Sequence, residues 1–295
     1  MRVFVTGATG FIGSAIVKEL IAHGHKVLGL ARSDASAAAL SAAGADVHHG
    51  TLEDLDSLRS GAAAADGVIH AAFIHDFSKF LENCEKERKA IAALGDALAG
   101  SDRPLVITSG TGLLSAPRLA EEHMPASTAI PRVASEQAAA ALVERGLRVG
   151  VVRLPPSVHG EGDHGFIPQL IQRAREKGAA AYIGDGLNRW PGVHRHDAAS
   201  LYRLALEKGT AGAHYHGTTD SGVPFRDIAI TIGRHLGVPV LSKTPEEAAD
   251  YFDWFAHFAA FENPTSSQWT REQLGWQPTH MGLLQDIDQP YYYQH

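Results

Sequence analysis

Arg2-Val3-Phe4-Val5-Thr6-Gly7-Ala8-Thr9-Gly10-Phe11-Ile12-Gly13 opens the chain, followed by Ser14-Ala15-Ile16-Val17-Lys18-Glu19-Leu20-Ile21 and then Lys26-Val27-Leu28-Gly29-Leu30-Ala31-Arg32. Val3 to Val5 is a short apolar run closed by a turn signal, as expected of a strand buried on both faces. Ile12, Ile16, Leu20 and Ile21 fall on one side of a helix that starts near Phe11. A second apolar strand ends at Ala31. Between strand and helix stand Gly7, Gly10 and Gly13. Gly7 permits the tight turn, Gly10 leaves room for close approach of a pyrophosphate to the backbone, and Gly13 lets the helix pack closely. The free N–H groups of the helix start would face the phosphates. A glycine triplet alone is a weak signal. Placed after a strand, before a helix and ahead of a second strand, it indicates a dinucleotide-binding unit. Thr9, Phe11 and Ile12 belong to the same turn and are counted with the cofactor-binding residues.

At the end of the second strand, where an Asp or Glu would bind a ribose 2′-hydroxyl, the chain has Ala31 followed by Arg32 and Ser33. Without a carboxylate there is no repulsion against a 2′-phosphate. The Arg32 guanidinium can make charge-assisted bonds to one, and Ser33 can add a hydroxyl. The expected cofactor is therefore NADP(H).

The pattern alternates onward. Strands are expected at 3–5, 26–30, 46–48, 67–70, 105–108 and 149–154, and helices at 35–43, 55–63, 79–98 and 132–144. This predicts an α/β protein with a Rossmann-type doubly wound parallel sheet and ligand at the carboxyl ends of the strands. Those ends are Gly7–Ile12, Arg32, Thr51–Leu52, Ala71–Phe73, Ser109–Thr111 and Leu154–Val158. After Pro155-Pro156, His, Trp, Gly and Pro become frequent and helical spacing is harder to follow. We therefore expect a dinucleotide-binding domain over 1–155, to which 193–216 returns, and a smaller C-terminal substrate lobe made of 156–192 and 217–295. Trp190, Trp254, Phe255, Phe258 and Phe261 are expected to line a pocket or a subunit contact; the apolar spacing of 250–261 suggests a helix, for which simple core packing is the default.

With 295 residues, 44% hydrophobic and 20% charged, the chain has an ordinary globular composition. Its net charge of −7 offers no basic face for nucleic acid. The single cysteine, Cys84, excludes an internal disulfide. His194-x-His196 and His214-x-His216 alternate as on strands, but each pair alone is an incomplete ligand set, so no metal is expected. A strand beginning at residue 2 and the absence of a run of about 18 apolar residues lead us to expect a cytoplasmic protein with no membrane contact.

Several segments in order resemble the extended and atypical branch of the short-chain dehydrogenase/reductase superfamily, labelled NAD-dependent epimerase/dehydratase. They are Thr6 to Gly13, Gly50-Thr51-Leu52, Asp66-Gly67-Val68-Ile69-His70-Ala71-Ala72, Arg153-Leu154-Pro155-Pro156-Ser157-Val158-His159-Gly160, and His194-Arg195-His196-Asp197-Ala198-Ala199. The resemblance implies that Thr51 and Leu52 border adenine and that Ala71, Ala72 and Phe73 lie beside the ribose. It places Leu154, Pro155 and Val158 near the nicotinamide. It also implies a small-molecule substrate and, by the superfamily's habit, a homodimer.

The working residues depart from the family. Its tyrosine, followed four residues on by a lysine, aligns with Thr128 and Arg132 when Glu136 is the anchor. Its Ser or Thr after the fifth strand aligns with Gly110, flanked by Ser109 and Thr111. A threonine cannot replace a phenol as a general acid or base unaided. Arg132 can bond ribose hydroxyls but exchanges no proton at neutral pH. Ser109 and Thr111 could orient a carbonyl. His159 and His75 have the pKa range for proton transfer, although a pocket-wall role is favoured for each. The candidate catalytic residues are thus Ser109, Thr111, Arg132 and His159. Phe73, His75, His159 and Trp190 are expected against substrate. Three functions stay open: an NADPH-dependent oxidoreductase acting on a small carbonyl or related electrophile, a catalytically silent NADP(H)-binding regulator, and, ranked last, a sugar-nucleotide epimerase or dehydratase.

Overall fold

The computed structural model describes residues 1–114 and 118–294. In its first half β1 (Arg2–Thr6), α1 (Phe11–Ala22), β2 (Lys26–Ala31), α2 (Asp34–Ala42), β3 (Asp46–His49), α3 (Leu55–Ala63), β4 (Gly67–His70), α4 (Phe80–Leu98), β5 (Leu105–Gly110), α5 (Ala134–Glu144) and β6 (Val149–Leu154) alternate as the sequence pattern requires. The second half contains β7 (Ser157–His159), α6 (Phe166–Lys177), β8 (Ala180–Ile183), β9 (Arg189–His194), α7 (Arg195–Lys208), β10 (His214–His216), β11 (Asp220–Pro224), α8 (Phe225–Leu236), β12 (Val240–Lys243), α9 (Pro245–Phe252), α10 (Ala256–Ala259), α11 (Gln268–Leu274) and α12 (Leu283–Ile287).

Seven strands form one sheet in the order β10-β6-β5-β4-β1-β2-β3, and every pairing in it is parallel. The order reverses between β1 and β4, so the crevice at their carboxyl ends is the switch point where such sheets take ligand. Alternation along β1 divides the core. Val3 and Val5 face α1 and α7 with Ile16, Leu20, Leu201 and Tyr202. Phe4 faces the opposite layer with Leu58, Ile91, Leu94 and Leu142.

The smaller part has its own aromatic core, in which Trp190, Phe225, Phe252 and Phe255 are buried. It is built on a three-stranded sheet, β11-β9-β7, and a two-stranded sheet, β12-β8. After β9 the chain returns to the large sheet through α7 and β10, and β10 pairs with β6.

Three local expectations change. The helices after Pro156 are regular: α6 buries Ile167, Leu170, Ile171 and Ala174, a spacing that marks one helix face. No single helix covers 250–261. Helix α9 ends at Asp253, whose φ of +53° is left-handed, and the chain restarts as α10. His194 ends β9 and caps α7 by accepting the His196 N–H, so that pair straddles a strand-to-helix junction. Among the described residues, no helix is long and apolar enough to cross a membrane.

Candidate functional site

The turn after β1 is shaped by close backbone contacts. Gly7 has φ +69°, and a Cβ there would stand 2.8 Å from the Ala72 nitrogen. A Cβ on Gly13 would stand 1.9 Å from the Gly7 carbonyl oxygen, so α1 rests directly on the turn. Gly10 is the N-cap of α1 and supplies no side-chain cap; no acidic residue occupies the first turn. The N–H groups of Phe11, Ile12 and Gly13 at the start of α1 thus have no side-chain cap, and they follow the exposed Thr9 and Gly10. Such a donor set fits a pair of phosphates.

Around this turn lie the other expected cofactor residues. Arg32 follows β2, is exposed, and has no hydrogen bond or ion pair with the described residues. The Ser33 hydroxyl accepts the Ser36 N–H at 3.2 Å, capping α2. Exposed Thr51 accepts the Asp54 N–H at 3.2 Å, and Leu52 packs partly against the core. Ala71, Ala72 and Phe73 leave β4 half-buried, while Leu154 and Pro155 are buried and Val158 is half-buried.

Arg132 stands in a one-turn helix, Pro131–Val133, at the head of α5. Its guanidinium lies 4.3 Å over the Phe73 ring. It donates to the Thr108 carbonyl at 3.0 Å, to Glu87 at 3.3 Å and to the Ser135 hydroxyl. His75 meets the edge of Phe73 at 5.2 Å. Partial burial, then the charge of Arg132, pulls the His75 pKa below the ordinary imidazole value. Thr128 is exposed and bonds to none of the described side chains.

The two hydroxyls flanking Gly110 are committed elsewhere. Ser109 donates to Glu136 at 2.7 Å. Arg153 grips the same carboxylate bidentately at 2.8 and 2.7 Å, and His214 lies 3.3 Å from it. Burial alone would raise the Glu136 pKa, but hydrogen bonds from Arg153 and then His214 hold it well below the usual carboxylate range. Thr111 is fully buried; its hydroxyl donates to the Asn263 side-chain oxygen at 2.6 Å, and its backbone carbonyl accepts from the Asn263 amide at 3.0 Å. At Gly110 a Cβ would stand 3.7 Å from the Leu154 carbonyl oxygen, an ordinary contact, so a side chain would fit there but this chain carries none.

His159 and Trp190 lie deeper than a pocket wall. His159 is fully buried, with Nδ1 at 2.9 Å from Asp286 and its ring edge-on to His194 at 5.6 Å. Asp286 also accepts from Tyr291 and, at 3.1 Å, from Tyr292. Tyr292 touches Asp163 at 3.2 Å, and burial pushes Asp163 up to about 6. Trp190 is fully buried and donates its indole N–H to the Phe258 carbonyl at 3.2 Å. Arg195, at the start of α7, reaches Ser14 at 2.7 Å and lies 4.4 Å over Phe11, tying α7 to the start of α1. No three or more His, Cys, Asp or Glu residues among those described gather so as to hold a metal ion.

Glu87, Asn263, Asp286 and Arg195 were not singled out from the sequence. For Glu87 a signal existed. Asn83, Cys84, Glu87, Ala90, Ile91, Leu94 and Leu98 form the buried face of α4, so helical spacing alone places a carboxylate on an apolar stripe.

A parallel sheet with an uncapped glycine turn at its switch point defines a dinucleotide-binding α/β architecture. The chain belongs to the NAD dependent epimerase/dehydratase family, whose model it matches over residues 3–99 and 122–217. It is thus a member of the short-chain dehydrogenase/reductase superfamily on its extended, atypical side. It is 48% identical over 298 residues to an uncharacterized protein of Schizosaccharomyces pombe, covering 99% of this chain and 100% of that one. A 4-hydroxy-2-methyl-3-oxo-4-farnesyl-3,4-dihydroquinoline-1-oxide ketoreductase from Stigmatella aurantiaca is 29% identical over 264 residues, 84% of this chain and 78% of that one. The dTDP-glucose 4,6-dehydratase of Streptomyces venezuelae, solved with NAD and TYD bound, superposes with a TM-score of 0.78 at 22% identity over 99% of this chain and 97% of that chain. At that identity the likeness concerns the fold.

Proposed function

We propose that this chain is an NADP(H)-dependent oxidoreductase that delivers hydride to a small carbonyl compound or related electrophile. The observation that carries the reading is Arg32, an exposed guanidinium at the end of β2 with no hydrogen bond or ion pair among the described residues, next to Ala31 rather than a carboxylate. The ketoreductase name of the Stigmatella relative points the same way.

A bound nicotinamide supplies the hydride. The chain's own residues hold and orient it. The N–H groups at the start of α1 take the pyrophosphate, while Arg32 and Ser33 take the 2′-phosphate. Thr51 and Leu52 border the adenine. Phe73 and Arg132 wall the ribose side, and Leu154, Pro155 and Val158 wall the nicotinamide side. Ser109 and Thr111 have their hydroxyl protons engaged by Glu136 and Asn263. They therefore brace the floor of the crevice and offer it no proton. His75 lies beside Phe73 and is open to water. It is an imidazole that could pass a proton between solvent and a developing alkoxide, with its pKa lowered by partial burial and then by Arg132.

Thr128 and the tethering of Arg132 favour a second reading, a protein that holds NADP(H) without turnover. Following NADPH consumption over a panel of short aldehydes, ketones and imines separates the two. Turnover with at least one class is expected. Tight NADPH binding with silence across the panel would overturn the reductase reading and leave the binding protein.

A further inference from the structure

Beneath the crevice a series of buried polar groups links the glycine turn to Arg132. Thr6, the last residue of β1, meets His70 Nδ1 at 2.7 Å. His70 Nε2 lies 3.3 Å from Glu87 Oε2, and Glu87 Oε1 lies 3.3 Å from Arg132 Nη2. The side chains of His70 and Glu87 are 0% and 1% exposed, whereas Arg132 retains 15%. Burial would raise the Glu87 pKa, but His70 and then Arg132 outweigh it and keep the carboxylate ionised. A carboxylate this deep needs a fixed positive partner, because taking it out of water is otherwise costly.

Arginine and lysine are not equivalent at this position. An ammonium is a point charge that turns freely, whereas a guanidinium presents five donors in one plane and must be set at the correct angle. In this chain Glu87 and the Thr108 carbonyl engage Nη2, and Ser135 engages one hydrogen of Nη1. The Phe73 ring supports the face. Nε–H and the second Nη1 hydrogen remain, in a plane that the other contacts fix.

We propose that Glu87 is a positioning residue for the cofactor: it anchors one edge of the Arg132 guanidinium to α4, so that the remaining donors meet the ribose on the nicotinamide side. Glu87 and Arg132 thus act as a unit in place of the family's lysine. The inference rests on the NADP(H) reading above. Glu87 touches no reactant, and its effect passes through Arg132.

The test compares two ligands on the purified full chain. NADPH carries the nicotinamide-side ribose; adenosine 2′,5′-bisphosphate carries the adenine end and the 2′-phosphate but lacks that ribose. Glu87→Gln keeps the shape and removes the charge. It is expected to weaken NADPH by about tenfold or more, the scale of a lost charge-assisted bond, and to leave adenosine 2′,5′-bisphosphate unchanged. Arg132→Lys is expected to do the same, because the ammonium would be drawn to Glu87. Combining the two changes should cost less than their sum, since they break one unit. If Glu87→Gln fails to fold, Arg132→Lys in the half-open position supplies the same ligand comparison. Equal losses on both ligands, no loss on NADPH, or strictly additive losses would overturn the positioning role. Failure of the unmodified chain to bind NADPH would overturn the cofactor reading itself and the inference with it, a result distinct from the others.

Discussion

Gly13→Ala should abolish useful NADPH binding. Helix propensity alone argues the opposite, since alanine is favoured over glycine in a helix by about 1 kcal/mol. Sterics decide the outcome. The new Cβ would lie 1.9 Å from the Gly7 carbonyl oxygen and 2.7 Å from its carbon, both backbone atoms that cannot rotate away. Helix α1 must then lift off the turn, and the N–H groups of Phe11 and Ile12 leave the place where phosphates would meet them. Displacing several such donors at once corresponds to roughly a hundredfold loss of affinity or more. A calorimetric titration would register it, together with a lower midpoint of thermal unfolding. Unchanged NADPH affinity in Gly13→Ala would mean that the dinucleotide does not lie on this turn.

Arg153→Met is expected to cause the largest loss of stability. Arg153 is 1% exposed and holds the Glu136 carboxylate bidentately; it also donates to the Glu122 and Met124 carbonyls at 3.2 and 3.0 Å. Its removal leaves a buried carboxylate with only Ser109 and His214. Breaking one side of a buried pair costs about 3–5 kcal/mol. Urea unfolding at pH 7 reads this directly. The sign of the pH dependence follows from Glu136, whose folded pKa is depressed. Its stabilisation is present above the unfolded carboxylate value of about 4.3 and is lost as the pH falls below it. The unmodified chain should therefore lose stability in acid. In Arg153→Met the buried Glu136 takes up a proton more readily, so the gap between the two proteins should narrow toward pH 4. A loss below about 1 kcal/mol at pH 7, the range of an exposed pair, or a gap that widens in acid, would contradict the buried-pair account.

Most of the large sheet was legible because its signals are local. Apolar runs of strand length, helical spacing and the glycine triplet lie within a few residues of one another, and the bounds of β4, α3 and β6 match the sequence reading. Arg32 stands exposed just past the end of β2, where the same local pattern puts it. The side-chain partnerships were not legible, because they join distant segments. Thr111 and Asn263 are 152 residues apart, and His159 and Asp286 are 127 apart. Spacing cannot announce such pairs. Trp190 shows the converse limit. An aromatic-rich stretch reads alike whether it lines a pocket or fills a core, and only the packing of Phe166, Phe225 and Phe255 around that ring places it inside. Glu87 was legible only through helical spacing: its neighbours Glu85 and Arg88 are solvated, and only the stripe of Asn83, Glu87, Ala90, Ile91 and Leu94 marks it as inward.

The proposed cofactor site and its proposed preference for the extra phosphate are tested most directly by calorimetric titration of NADPH and NADH into the unmodified chain and into Arg32→Ala. NADPH should bind the unmodified chain at least about tenfold more tightly, the scale of charge-assisted bonds to a phosphate. Arg32→Ala should remove that preference by weakening NADPH while leaving NADH as it was. Equal affinities for the two nucleotides before any substitution, or no heat with NADPH at all, would contradict it.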